Sequence, residues 1–396
     1  MDKKTVRDIE VSGKRVLVRV DFNVPVDTNT GAITDDSRIR AALPTINYLI
    51  KNNASVILMS HFGRPKGKPA KEFSLASVAE RLSKILGKPV KFAFDCIGPE
   101  AEKSAAALKA GDVLLLENLR FHTEEEKGDE GFAKALARLG DIYVNDAFGT
   151  SHRAHASIAG IPKFLPAVAG MLLEKEINTL GGLLINPEHP FVALFGGAKV
   201  SDKVSVLNNI MNKVDCLLIG GGMAATFLKA KSYGVGTSAI EVETLDTAAE
   251  LIKQAKNSGV RLVLPVDVMV ADAIDSKATG KVVSVDAIPL DKKIVDIGPK
   301  TVEAFRKELE KSRTVFWNGP MGVHEIPQFA AGTQALARLL PKLKAKTIVG
   351  GGSTAEVIDA LGLSDKVTFV STGGGASLEF LGGAELPGVV SLLDKK

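Results

Sequence analysis

The feature that most constrains this chain is a recurring set of short, β-branched apolar runs that do not alternate with polar residues. In the first half they are RVLVRVDF (15–22), SVILMSHF (55–62), DVLLLENLRF (112–121) and DIYVNDAF (141–148). In the second half they are FVALFGG (191–197), CLLIGGG (216–222), RLVLPVDVMVA (261–271), TVFWNGP (314–320), TIVGGG (347–352) and VTFVSTGGG (367–375). A strand with one wet face alternates, whereas one covered on both faces does not. Amphipathic stretches such as SLASVAERLSKIL (74–86) and EGFAKALARL (130–139) separate the runs. Strands alternating with helices imply right-handed βαβ crossovers. The expected fold class is α/β, with parallel sheets flanked by helices.

A chain of 396 residues has room for two such lobes. MLLEKEINTLGGLL (171–184) carries apolar residues at helical spacing, ended by Gly181–Gly182, and turn-like INPEHP (185–190) follows. The expected division is a lobe over 1–170, a joining helix over 171–184 and a lobe from 185 to about 379. Fifty basic against 46 acidic residues give a net charge of +4, which makes no case for a nucleic-acid partner. No apolar run approaches the ~20 residues of a membrane helix, and the first twenty residues lack a signal peptide's apolar stretch. A cytoplasmic monomer is expected. Cys96 and Cys216 are read as inert reduced thiols.

In open parallel sheets, ligands bind beyond the carboxyl ends of the strands. The first-half strand ends carry Asp21 and Asn23, His61 and Arg64, Arg120 and His122, and Asp146 followed by His152, Arg153 and His155. With Arg38 they form a basket suited to a small, highly charged anion, because guanidinium groups grip phosphate and carboxylate bidentately. The second-half ends carry glycine: GGAK (196–199), GGGMA (220–224), NGPMG (318–322), GGGST (350–354) and TGGGAS (372–377). Glycine admits close backbone approach, and helix N-termini favour anions. Lys199 and Lys203, four apart, would face one way on a helix. The outline is that of a nucleotide-phosphate site.

Plainer readings stand beside these. Glycine serves tight turns without any ligand, and a lone Arg120 would suit a surface ion pair. His122 and His189 read as structural, EEEK (124–127) as a solvated helix start, and Trp317 as packing. Walker, dinucleotide, protein-kinase, nucleophile-elbow and zinc spacings are absent. GVGTSA (234–239) is only a partial dinucleotide match.

RVDFNVP (19–25), SHFGRP (60–65), LLENLRFH (115–122) and DAFGTSHRAHAS (146–157) resemble N-lobe motifs of the phosphoglycerate kinase family. GGAKVSDK (196–203), GGGMAATFLKA (220–230), DIGPKT (296–301), WNGPMG (317–322) and STGGGASLEFL (371–381) resemble its C-lobe motifs. The resemblance implies two Rossmann-like lobes around a helical hinge, with a tail, about 380–396, that returns to the N-lobe. It implies phosphate transfer between ATP and 3-phosphoglycerate, giving ADP and 1,3-bisphosphoglycerate, with Mg²⁺ on the nucleotide. By the same resemblance Asp21, Asn23, Arg38, His61, Phe62, Gly63, Arg64, Arg120 and Arg153 hold the acid, with His152 and His155 adjoining. Lys199 stabilises the moving phosphoryl group, helped by Arg38 and by Gly373 and Gly374 at a helix N-terminus. Lys203, Glu325, Gly351, Gly352, Ser353 and Thr354 hold the nucleotide. Ser353 stands where the family commonly has a metal-coordinating aspartate, and a hydroxyl is a weaker ligand; Asp202 is a nearby carboxylate. His324 replaces an aromatic and Ala225 a larger residue.

The acceptor carboxylate is already ionised at pH 7 and needs no general base. Such a reaction rests on positioning and charge stabilisation, and ligands on separate lobes imply closure about 171–184. Two rivals remain at this point. A nicotinamide-dependent dehydrogenase would need the missing dinucleotide fingerprint. A non-catalytic two-lobed phospho-ligand binder would not need Lys199.

Overall fold

A computed structural model describes residues 2–27 and 29–395. The chain divides into two compact units, Met1–Asn178 with Glu385–Lys396, and Thr179–Ala384. Among the described residues, no helix is long and apolar enough to cross a membrane.

The first unit is built on β1 (Arg15–Arg19), β2 (Ser55–Met59), β3 (Val90–Ala93), β4 (Val113–Leu116), β5 (Ile142–Asn145) and β6 (Ala167–Ala169). They form one parallel sheet in the order β3-β4-β2-β1-β5-β6. The non-alternating runs became β1, β2, β4 and β5, which are buried along almost their whole length because helices cover both faces. The helices Ser37–Lys51 and Ala76–Leu86 supply Ile39, Ile46, Leu49, Val78 and Leu82 to one side of that core. Sequence periodicity did not reveal β3 and β6. They are the sheet's edges, short and, in β3, half wet, so neither needs an apolar run.

The C-terminal segment belongs to this unit. Lys4 N donates to Leu393 O at 2.7 Å, Leu393 N to Ala167 O at 3.0 Å and Gly388 N to Ser151 O at 2.9 Å. Asn145, at the end of β5, reaches Gly388 O through Nδ2 at 2.8 Å. A Cβ at Gly388 would stand 2.7 Å from Ile158 Cγ2, so only glycine lets the tail approach this closely.

The second unit holds β7 (Phe191–Phe195), β8 (Cys216–Ile219), β9 (Arg261–Val263), β10 (Asp267–Ala271), β11 (Lys281–Ser284), β12 (Lys293–Ile297), β13 (Thr314–Asn318), β14 (Lys346–Gly350) and β15 (Phe369–Val370). Its main sheet is parallel, in the order β15-β14-β13-β7-β8-β9. A second, antiparallel sheet, β11-β10-β12, is an addition to the expected plan. The run 261–271 is therefore two strands. Pro265 lacks the N–H that would continue the ladder, and Val266 and Asp267 instead donate their amides to Thr301 Oγ1 at 3.0 and 3.1 Å.

The helix Met171–Ile185 runs through Gly181–Gly182 instead of ending there. Its first part falls in the first unit and its remainder in the second. Asp146, just after β5, caps it: Leu172 N and Leu173 N donate to its Oδ1 at 2.9 and 3.3 Å. Burial pushes the Asp146 carboxyl up to about 6, against its hydrogen bonds from Thr45, Leu173 and Leu172.

Candidate functional site: two rims of unlike chemistry

Adjacent strands β4, β2, β1 and β5 end on one edge of the first sheet. There Arg38 Nη1 donates to Asp21 Oδ2, and His61 Nδ1 lies 3.9 Å from Asp21 Oδ1. Burial opposes ionisation of Asp21, but the positive partners around it, His61 when protonated, Arg38 and Arg19, outweigh it and hold its carboxyl below the usual range. Asn23 Oδ1 accepts from Gly63 N at 2.8 Å and Arg120 Nη1 donates to Gly63 O at 2.8 Å, so the 61–64 loop is held from both sides. Arg120 is buried, 3.3 Å from Glu126, and its Nε has no hydrogen-bond partner among the described residues. Arg153 Nε approaches His152 Nε2 at 3.3 Å. Arg64 is exposed, with no side-chain partner among the described residues.

The concentration of charge shows in the histidines. Burial pulls His61 down to about 3, with Arg19, Arg120 and Arg38 adding to it against Asp21. Burial and Arg19, Arg120, Arg153 and His152 pull His155 down to about 4. Both imidazoles are neutral at pH 7. Arginine only donates, so His61 Nδ1, 3.3 Å from Arg19 Nη2, accepts and the ring proton sits on Nε2. Among the described residues the carboxylates that face Arg19, Arg38, Arg120 and Arg153 are Asp21, Glu125 and Glu126, fewer than the guanidinium groups, and this surplus of positive charge is the electrostatic form of an anion site.

Sequence reasoning missed what supports the basket from beneath. Arg19, 0% exposed, donates from Nε to Ser157 Oγ at 2.9 Å and from Nη1 to Val20 O. Glu125, also 0% exposed, accepts from Ser157 N and Oγ at 2.9 and 2.5 Å. Tyr143 donates to Ser157 O at 2.8 Å. The solvated reading of 124–127 is thus wrong at Glu125, which turns inward because Ser157 and Arg19 are the buried partners it needs. The one available signal was an arginine inside the apolar run RVLVRV. The plain reading of Arg120 as a surface ion pair also fails, since Arg120 is buried, whereas those of His122, His189 and Trp317 agree with the structure. His122 pairs with Asp95, His189 with Asp215, and Trp317 is buried with Nε1 donating to Gly319 O at 2.7 Å. Both cysteines are free and buried.

On the second unit, the glycines divide in two. Those after β7, β8 and β13 serve one another. Gly197 N donates to Pro320 O at 2.9 Å, Gly221 N to Met321 O at 3.0 Å and Met223 N to Gly197 O at 3.0 Å. Gly319, at φ +95°, would bring a Cβ to 2.3 Å from Gly196 O. After β14 and β15, by contrast, a Cβ at Gly352, Gly374 or Gly375 would meet nothing within 4 Å. Gly352 begins the helix Gly352–Ala360, so free helix-start amides border open space there. Gly373 N is donated to Ser371 Oγ at 3.1 Å.

Lys199 and Lys203 are not on a helix together. The helix starts at Val204, because Glu241 accepts from Val200 N, Ser201 N and Ser201 Oγ and holds residues 200–201 in a turn. Lys199 is exposed, whereas Lys203 is part-buried with Nζ donating to Asn318 Oδ1. Burial pulls Lys203 down, with Asp202 opposing. Asn318, which sequence reasoning passed over inside its own motif, keeps a buried Nδ2 without a partner among the described residues, beside Gly351. Thr354 is buried, its hydroxyl accepting from Gly319 N at 2.8 Å, so it supports the rim from within. Ser353 and Asp202 are exposed oxygen donors. Glu325, 3.1 Å from His324, edges a recess of ≈ 300 Å³ that Ala330, Thr333, Gln334 and Val357 also line.

A sequence model of the family described as phosphoglycerate kinase matches residues 6–384. The chain is 56% identical to a protein of Moorella thermoacetica and 55% identical to one of Pelotomaculum thermopropionicum, both named phosphoglycerate kinase, with all of each chain covered. Among solved structures, that of phosphoglycerate kinase from Coxiella burnetii matches with a TM-score of 0.87 at 44% identity, over 98% of both chains. That from Pyrococcus horikoshii matches with a TM-score of 0.83 at 34% identity, again over 98% of both. An arginine basket on one sheet, glycine turns on the other and likeness over the full length agree: the chain belongs to the phosphoglycerate kinase family.

Proposed function

We propose that this protein transfers the γ-phosphate of ATP reversibly to the carboxylate of 3-phosphoglycerate, giving 1,3-bisphosphoglycerate and ADP. The observation that carries the reading is the gathering of Arg38, Arg120 and Arg153 around two histidines that burial first, and the arginines' charge second, keep neutral. Asp21, Asn23, His61, Phe62, Gly63 and Arg64 complete the acid's site. Asp21 orients Arg38, and neutral His61 offers Nε2–H to an oxygen anion without adding charge. The carboxylate attacks unaided, being ionised already.

The nucleotide binds the second unit. Its phosphates meet Lys203, Gly351, Gly352 and the amides beside open space, and Glu325 takes the ribose. Lys199, exposed and with Glu241 as its nearby counter-charge, would reach the transferring group together with Arg38, Gly373 and Gly374. Mg²⁺ bound to the nucleotide neutralises phosphate charge. Ser353 and Asp202 are the oxygen donors that would hold it, and they fit a cation that keeps most of its ligands as phosphate and water. Ligands on different units require closure during turnover, with Met171–Ile185 as the hinge. Scattering that shows no compaction with both substrates would count against that motion.

The test is a coupled assay of purified protein with MgATP and 3-phosphoglycerate. ADP formation that depends on the acid is the expected result. Tight acid binding without turnover would return the reading to a phospho-ligand-binding protein.

A further inference from the structure

Among residues given no part in the proposed transfer, the first unit brings three unlike ligand-type side chains to one point. β3 ends at Ala93, and Asp95 and Cys96 lie in the turn that follows. His122 follows the single helical turn Leu119–Phe121. The Asp95 carboxylate, Cys96 Sγ and a His122 ring nitrogen all lie within 4.8 Å of one another, the one such group of His, Cys, Asp or Glu among the described residues. His122 Nε2 stands 2.7 Å from Asp95 Oδ1, and its ring rests on Phe132 with centroids 5.2 Å apart. The Cys96 side is fully buried, whereas the side chains of Asp95 and His122 are 46% and 26% exposed. The cluster has a dry floor and an open mouth.

We propose that Asp95, Cys96 and His122 form a binding site for a thiophilic divalent cation of the zinc type. Sulfur, imidazole nitrogen and one carboxylate oxygen are a donor set that zinc accepts, whereas magnesium takes oxygen. Metal–ligand bonds of about 2.0–2.3 Å place tetrahedral ligand atoms about 3.3–3.8 Å apart, so ligand atoms up to 4.8 Å apart must close by about 1 Å while His122 Nε2 and Asp95 Oδ1, now 2.7 Å apart, give up their direct contact and separate around the ion. Three protein ligands leave the fourth position for water, on the exposed side. The Cys96 thiol gives its proton to solvent and binds as thiolate. His122 binds as neutral imidazole through Nε2 with its proton on Nδ1, and Asp95 binds as carboxylate. The ion would staple the turn after β3 to the segment that carries Arg120, two residues before His122. The site does not depend on the transfer reaction.

The probe is Cd²⁺ added to the full chain, read by the ultraviolet thiolate-to-cadmium charge-transfer band. One equivalent should bind, with Zn²⁺ competing and Mg²⁺ not. Cys96→Ser should abolish the band and Cys216→Ser should leave it. His122→Gln and Asp95→Asn, checked for folding by circular dichroism, should each weaken binding at least about tenfold, the smallest loss usual even for an outer partner of a metal ligand. Absence of the band, its loss in Cys216→Ser, or unchanged affinity in both His122→Gln and Asp95→Asn would overturn the proposal, the last outcome reducing the site to a lone thiol.

Discussion

The two rims lie at the same place in the same kind of sheet, beyond the carboxyl ends of parallel strands, yet they offer opposite chemistry. The first presents side-chain cations and needs a buried foundation, in which Arg19, Ser157 and Glu125 satisfy one another. The second presents mainly backbone, with Lys199 and Lys203 as its side-chain cations, and its foundation is glycine packed against glycine. Side-chain cations can match one ligand's shape and charge closely. Backbone amides grip any phosphate in the same way. On the proposed function, side-chain discrimination falls on the small acid, while the nucleotide would be held chiefly through its phosphates.

The largest expected effect concerns Lys199 and Arg38. Lys199→Ala should lower kcat by about 10²–10³, the usual cost of removing a group that stabilises transition-state charge, while leaving acid binding nearly intact. Arg38→Ala should match it in kcat and also free Asp21. Steady-state kinetics with calorimetry separates the two, and an unchanged rate in Lys199→Ala would remove that residue from the chemistry.

Next comes a contrast within the glycine rim. Gly319→Ala puts a methyl 2.3 Å from Gly196 O at φ +95°. It should cost the second unit about 1–3 kcal/mol from backbone strain alone, seen by thermal unfolding. Gly352→Ala meets open space and should leave melting nearly unchanged while weakening ADP. If both variants melt alike, the division of the glycines into packing and ligand-facing sets fails.

The central strands of both sheets were legible because burial on two faces leaves a mark on sequence. Edge strands β3 and β6 were not, nor were β11 and β12 of the antiparallel sheet, since a strand with a wet face or three residues carries little pattern. Arg38 and Arg120 were legible as candidate anion binders from residue type and place. The inward turn of Glu125 was not, because its partners Ser157 and Arg19 are distant in sequence and an acidic run usually faces water. The Lys199–Lys203 spacing misled because the turn depends on Glu241, some 40 residues on.

A smaller effect is expected at Arg64. It is exposed and without a side-chain partner among the described residues, so Arg64→Ala should leave the fold unchanged. A charged hydrogen bond is worth about 1.5–3 kcal/mol, so acid binding should weaken by at least about tenfold with nucleotide binding unaltered. Calorimetry that finds the acid's affinity unchanged would remove Arg64 from the basket.

The smallest signal, a fraction of a proton, tests the cationic rim most directly. His61 and His155 sit near about 3 and about 4, below an ordinary histidine. Their folded values lie under the unfolded one, so the unfolded chain binds more protons as pH falls. Their contribution to stability is complete above about pH 6.5 and is lost toward pH 3. Asp146, raised to about 6, works in the opposite sense, its contribution fading as pH rises through that value. An anion in the basket supplies the missing counter-charge and must raise both histidines. At pH 5–6 binding of 3-phosphoglycerate should therefore take up protons, so its calorimetric enthalpy should depend on the buffer's ionisation heat, and NMR should show both imidazole titrations moving upward. Nucleotide alone, held by the other unit, should move neither. If nucleotide alone moves them, or the acid does not, the division of labour between side chains and backbone has been drawn in the wrong place.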